Sequence, residues 1–321
     1  MKIIKENTSF MEVNIKMPHN KIKQLIKNPY ILFNYLGSKH LLNWVPDKIY
    51  LQLQFRARMN KKLNLKNPQT FNEKLQWLKL YDRDPKYIKL TDKLEVRKYI
   101  NEKIGDKYLI PILGVYNDFD EIDFDQLPNQ FVLKCTHDSG GVVICKDKSQ
   151  FDIKKAKNKI NKHFNRNYYY GKREWPYKFI NPKIICEKYM VDDSGTELKD
   201  FKFMCFNGEP KCLLVASNRN RPGGLKIDFY DMEWNLLPFE RHYPRSGIEI
   251  PKPKSFDEMV ILARKLSENI PFVRVDFYEV NGQPYFGELT FYPGSGYLEF
   301  TPEKFDYLLG SWLELPKSLK G

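Results

Sequence analysis

The chain has 321 residues, 42% hydrophobic and 15% aromatic, with 53 Lys plus Arg against 40 Asp plus Glu and a formal net charge of +13. This apolar share excludes disorder as the main description and suits about two domains at roughly 150 residues each. Charged residues interrupt every apolar run before the roughly 20 positions a membrane helix needs, and the opening Met-Lys-Ile-Ile-Lys-Glu-Asn has no apolar signal core, so a cytoplasmic location is expected.

The charge is uneven. Residues 1–64 hold 12 Lys or Arg against 3 Asp or Glu, a balance of +9, and the other 257 residues hold 41 against 37, only +4. Ile26, Tyr30, Ile31, Phe33, Leu36, Leu41, Leu42 and Trp44 recur at three- and four-residue steps, which predicts short amphipathic helices. Such a basic extension serves either as a helical appendage on the main body or as a peripheral docking face for the membrane surface or polysaccharide assembly machinery.

Thr70 with Glu73 three residues on predicts a capping box opening a helix at Phe71, and Thr91 is expected to open the next, with Leu94, Val96, Tyr99 and Ile100 as its stripe. Residues 130–147 read as a hairpin joined through His137-Asp138-Ser139-Gly140-Gly141, followed by a lysine-rich helix over 151–165 and a ligand-covering loop over 167–176. Strands are expected at 183–190, 200–206, 211–217 and 226–230. A helix over 256–268, a hairpin of 272–278 with 285–291, and a helix from near Pro302 complete the chain. Antiparallel hairpins alternating with helices indicate α+β, divided as 1–90, 91–190 and 191–321.

Five cysteines (135, 145, 186, 205, 212) with no Cys-x-x-Cys pair are expected to be buried thiols, and the five histidines lack metal-ligand spacing. The chemistry is expected instead in the last hairpin, where Asp276 and Glu288 stand in apolar strands beside Arg274 and Thr290. Alternation puts Asp276 and Glu288 on one face only if an odd residue intervenes, and a three-residue loop with Gly282 in a bulge is expected to supply it. Clustered carboxylates with a neutral oxygen suit a hard cation such as Mg2+, and a salt bridge on a half-solvated sheet is the competing reading. Lys134 ending a strand before Ser139-Gly140-Gly141 suits phosphate, and the strand end Glu187-Lys188-Tyr189-Met190 suits an adenine edge.

The order of these parts, with Asp92-Lys93, Asp200 and the terminal Pro293-Gly294-Ser295-Gly296, resembles the ATP-grasp superfamily over roughly 90–310. Phe71-Asn-Glu-Lys-Leu-Gln-Trp, Asp200-Phe-Lys-Phe-Met-Cys-Phe-Asn-Gly and Phe286-Gly-Glu-Leu-Thr-Phe look like its TupA-like branch, named for teichuronopeptide biosynthesis. The resemblance implies that Lys93 and Lys134 hold ATP phosphates under Ser139, Gly140 and Gly141. It implies further that Glu187, Lys188 and Met190 read adenine, and that Asp200 takes the ribose while Lys202 reaches a phosphate. Asp276, Glu288 and Thr290 would hold Mg2+, although most ATP-grasp ligases have Asn at the position of Thr290. Arg274 would stabilise the transferring group, and Arg219 with Arg221 would receive a carboxylate. The implied activity is an ATP-dependent carboxylate-amine ligase joining a uronic acid unit of a surface polysaccharide to an amino acid or other amine, with no nucleic acid involved. A glycosyltransferase is the second expectation, with Asp82-Arg-Asp84 and Asp118-Phe-Asp120 as candidate Asp-x-Asp pairs in loop or acidic contexts, and a non-catalytic polyanion binder, suggested by Tyr168-Tyr169-Tyr170, is the third.

Overall fold

A computed structural model describes residues 29–193, 198–217 and 224–317. Its helices are α1 (Pro29–Ser38), α2 (Asp47–Met59), α3 (Phe71–Tyr81), α4 (Lys86–Thr91), α5 (Val96–Ile104), α6 (Ile153–Phe164), α7 (Tyr169–Lys172), α8 (Phe256–Ser267) and α9 (Lys304–Trp312). The strands are β1 (Ile112–Tyr116), β2 (Phe131–Cys135), β3 (Val142–Cys145), β4 (Ile184–Lys188), β5 (Asp200–Phe206), β6 (Glu209–Ser217), β7 (Lys226–Tyr230), β8 (Glu240–Arg241), β9 (Phe272–Val280), β10 (Gln283–Thr290) and β11 (Phe300–Thr301). They form a four-stranded sheet ordered β1-β4-β2-β3, a five-stranded sheet ordered β10-β9-β5-β6-β7, and the small pair β11-β8, with every named pairing antiparallel. The fold is therefore α+β, with no parallel sheet of the Rossmann kind among the described residues.

Each sheet has its own core. Phe131, Leu133, Ile184 and Cys186 of the smaller sheet bury against Ala156 and Ile160 of α6. Phe203, Cys205, Val273, Val275 and Phe277 of the larger sheet bury against Met259, Ala263 and Leu266 of α8. A third cluster joins Leu51, Phe55 and Met59 of α2 to Tyr297, so the basic N-terminal part contributes a packed helix to the body. All five cysteines are buried and unpaired.

Helix α3 opens as expected: the Thr70 side chain accepts from the Glu73 amide and Glu73 returns a bond to the Thr70 amide. Its polar residues point inward. Asn72 donates to Leu298 O and Asp306, Lys74 to Gly310 O and Leu313 O, and Gln76 to Ser295 O and Gly296 O.

Four expectations need correction. Thr91 ends α4; Asp92 turns the chain, accepting from the Leu94 and Glu95 amides, and the next helix begins at Val96. Residues 167–176 are not a covering loop, because Tyr169, Arg173, Glu174 and Trp175 are buried and the Arg173 guanidinium lies 4.1 Å from the Tyr50 ring centroid. Three tyrosines and a tryptophan there supply too much apolar surface to leave in water. Trp44, expected on an apolar face, is 80% exposed. The fourth, the loop of the last hairpin, bears directly on the site. Ile26 lies outside the described residues.

Candidate active site

The turn between β9 and β10 is two residues, Asn281 and Gly282, both at positive φ, with Val280 paired to Gln283. That register alone would put Asp276 and Glu288 on opposite faces. The odd residue is Gly287: Phe286 pairs with Phe277, Glu288 pairs with Asp276, and Gly287 is bulged out between them. A Cβ at 287 would stand 3.1 Å from Asp276 O and 3.2 Å from the Tyr278 ring, so glycine lets the bulge sit this close to β9. The shared face is thus as expected and its cause is not. A glycine inside a strand was the available signal.

Beyond the bulge Thr290 pairs with Arg274, and across β9 Lys202 pairs with Asp276 and Asp200 with Tyr278. One sheet face therefore carries Asp200, Lys202, Arg274, Asp276, Glu288 and Thr290. Arg274 grips Asp276 with two bonds of 2.7 and 2.6 Å and reaches Glu288 at 3.2 Å and Thr290 at 3.0 Å. Lys202 Nζ lies 2.5 Å from Asp276 and 3.4 Å from Asp200. Burial raises the Asp276 carboxyl despite Arg274 and Lys202. Burial would raise Glu288 too, but Lys93, Arg274 and Lys202 outweigh it and hold that carboxyl at about 2. The salt bridge and the ligand face are the same set of atoms. A buried ion pair stabilises little by itself, whereas removing one partner costs about 3–5 kcal/mol.

The other sheet supplies the opposing charges. Lys134 on β2 is 2.5 Å from Glu187 on β4, and Arg97 approaches the same carboxylate at 3.7 Å. Lys93 donates to Asp138 O at 2.8 Å, which ties it to the loop of Ser139, Gly140 and Gly141. Ser139 and Gly140 are exposed. Gly140 takes φ +115, and a Cβ at Gly141 would meet Cys135 Sγ and His163 Cβ at 2.9 Å. The loop is clamped by Asp138, which has no exposed side-chain surface and bonds His163 and Arg166. Lys188 and Met190 line a cavity of about 310 Å³ with Leu109, Pro111 and Tyr285. Arg219 and Arg221 lie outside the described residues.

Sequence reasoning missed the support behind Gly294-Ser295-Gly296. Lys79, fully buried, donates to Gln76, Ser295 O and Lys172 O, and Glu174 accepts from the Ser295 hydroxyl. Burial lowers Lys79 to about 7 and raises Glu174. Polar residues at 72, 76 and 79, one helical face of α3, were the sign. The Asp-x-Asp pairs are local: Asp82 accepts from Tyr87, Asp118 caps the turn at Asp120, and in a third pair Asp123 accepts from the Asp125 amide.

Among the described residues no group of three or more His, Cys, Asp and Glu side chains could hold a metal. Asp276, Glu288 and the Thr290 hydroxyl nevertheless fit Mg2+, which is commonly held by one or two carboxylates together with substrate phosphate oxygens.

One antiparallel sheet carrying Lys134 and another carrying Asp276 and Glu288, with Lys93 near enough for its charge to act on Glu288, are the parts of a protein of the ATP-grasp class. The family described as TupA-like ATPgrasp matches residues 73–314, and the chain belongs to that family. Among solved structures it is similar to D-alanine–D-alanine ligase from Bacillus anthracis complexed with ATP, at 16% identity over 63% of this chain and 54% of that one, TM-score 0.38. It is also similar to D-alanine–D-alanine ligase from Helicobacter pylori at 12% identity, 76% and 69% coverage and TM-score 0.40. A third is the ATP-grasp ligase PsnB with minimal precursor, Mg and ADP, at 12% identity, 81% and 66% coverage and TM-score 0.37. The match with the Bacillus anthracis enzyme spans about half that chain's length. No curated protein matches the chain.

Proposed function

We propose that this protein is an ATP-dependent carboxylate-amine ligase that works through an acyl phosphate. The observation that carries the reading is the single face of Lys202, Arg274, Asp276, Glu288 and Thr290, made continuous by the Gly287 bulge and opposed by Lys93, whose charge acts on Glu288.

Lys93, Lys134 and Lys202 neutralise the phosphates, with Ser139, Gly140 and Gly141 closing over them. Glu187, Lys188 and Met190 meet the adenine, and Asp200 the ribose. Asp276, Glu288 and Thr290 would hold Mg2+, which neutralises phosphate charge when bound. A substrate carboxylate oxygen attacks the γ phosphorus, the bond to the ADP oxygen breaks, and Arg274 faces the charge that develops. The amine then adds to the acyl carbon, phosphate departs with the bonding pair, and the nitrogen loses a proton. Gly294-Ser295-Gly296, braced by Gln76, Lys79 and Glu174, stands beside this face and offers backbone groups to the tetrahedral oxygen. Arg219 and Arg221 receive the carboxylate.

The TupA-like family supports an acid of the uronate class in surface polysaccharide biosynthesis, with an amino acid or other amine as partner. The basic N-terminal region suits an anionic polymer or the membrane face. Purified protein given Mg2+, ATP, a uronic acid and a panel of amines should release ADP and phosphate only when acid and amine are both present. Release of a nucleoside diphosphate from a UDP-sugar without ATP overturns the ligase in favour of a glycosyltransferase.

A further inference from the structure

Three cations converge on one buried ring beside the Ser295 turn. Tyr297 is 6% exposed, and Lys79 Nζ, Lys172 Nζ and Arg58 Cζ lie 4.7, 5.7 and 5.8 Å from its ring centroid. The carboxylate acting on both lysines is Glu174, which already accepts from the Ser295 hydroxyl. Lys79 has three hydrogen-bond acceptors and is satisfied. Among the described residues neither the Lys172 nor the Arg58 side chain has a hydrogen-bond or ion-pair partner, and what each faces is the Tyr297 ring. Burial and repulsion from Arg58 hold Lys172 at about 8. The Tyr297 hydroxyl is buried without a hydrogen-bond partner. A cation over a ring gains about 0.5–2 kcal/mol, which leaves the half-buried Lys172 ammonium short of the anion that would complete it, and the Arg58 guanidinium beside it is exposed and open to the same ligand.

The location favours an anchor over a reacting group. Glu288 is among the charges acting on Glu174, whereas those acting on Lys172 are Arg58 and Glu174. Arg58 stands on α2, in the N-terminal part that packs through Tyr297 onto the catalytic body. We propose that Arg58 and Lys172, framed by Tyr297, bind a carboxylate of a substrate and so make α2 and α7 a wall of the acceptor side of the site. This rests on the ligase reading for the reaction, and on the geometry alone for the anion.

Two substrates could bring that carboxylate, the acid to be activated or an amino acid supplying the amine. The test is calorimetric titration of the full chain, loaded with Mg2+ and a non-hydrolysable ATP analogue, with D-glucuronate, L-glutamate and neutral D-glucose. Wild type should bind at least one of the two carboxylates and not glucose, and the one bound identifies the source. Arg58→Gln and Lys172→Gln should each weaken that affinity on the order of tenfold to a hundredfold, the scale of a lost charged hydrogen bond, while Arg58→Lys and Lys172→Arg, which keep the positive charge, should each lose less than the matching Gln variant. Affinity for the ATP analogue reports whether each variant is folded. Unchanged carboxylate affinity in both Gln variants, equal binding of glucose, or no binding of either carboxylate overturns the proposal. If instead Asp276→Asn leaves ATP turnover intact while the Gln variants lose the carboxylate, the ligase reading falls and the anion site stands.

Discussion

Two hairpins contribute to the candidate site, and they place their candidate groups in opposite parts of the motif. In β2–β3 the strands are scaffold, with Lys134 the one charged strand residue, and the proposed phosphate-binding elements sit in the connecting segment, where Gly140 takes φ +115. In β9–β10 the connecting Asn281-Gly282 turn is plain and the body of the strands carries Arg274, Asp276, Glu288 and Thr290. Backbone N–H groups are offered by a loop free of ladder bonds, whereas carboxylates that must hold a fixed separation are better placed by strand register.

Disabling the second hairpin should therefore have the largest effect. Asp276→Asn and Glu288→Gln are expected to cut ADP release by about a hundredfold or more, measured by coupled ADP assay, and a tenfold or smaller loss in both would place the chemistry elsewhere. Lys134→Gln in the first hairpin should raise the KM for ATP by about tenfold, as loss of one charged contact does, with a smaller change in kcat. The Gly141→Ala and Gly287→Ala pair sharpens the contrast. Each Cβ would crowd its neighbours, Cys135 and His163 at 2.9 Å or Asp276 O at 3.1 Å, so each should cost about 1–3 kcal/mol in denaturant unfolding. Only Gly287→Ala should also disturb the metal face. Smallest is Asn281→Ala at the plain turn, about 1 kcal/mol or less without loss of activity.

Glu288 adds a pH signature. Its carboxyl has an ordinary value of 4.5 and is held at about 2, so its contribution to stability is present above 4.5 and is lost as pH falls toward 2. Glu288→Gln should flatten acid unfolding over that window, and 41% of its side chain is exposed, which keeps the effect modest.

Much of this was legible in the residues. The capping box at Thr70, the hairpin over 131–145, strands 200–206 and 226–230 and the α8 helix stand close to where periodicity and turn residues put them. Three features were not. The bulge at Gly287 changes register without changing the apolar pattern. The Tyr168–Trp175 segment reads as a loop until Arg173 is seen to fill its middle. Lys79, Lys172 and Glu174 are unremarkable as a sequence, because their meaning comes from elements more than ninety residues apart.

The inward-facing polar residues of α3 have a further consequence, for the order of assembly. Asn72, Lys74 and Gln76 find their partners in residues 295–313, more than 200 positions later. During synthesis this helix cannot dock until nearly all of the described chain has left the ribosome, and contacts of such separation close late because the loop entropy must be met first. The turn at Ser295 has the same dependence through Gln76 and Lys79. A nascent chain can thus form its β2–β3 hairpin early, whereas the turn at Ser295 is braced only as the last helix arrives.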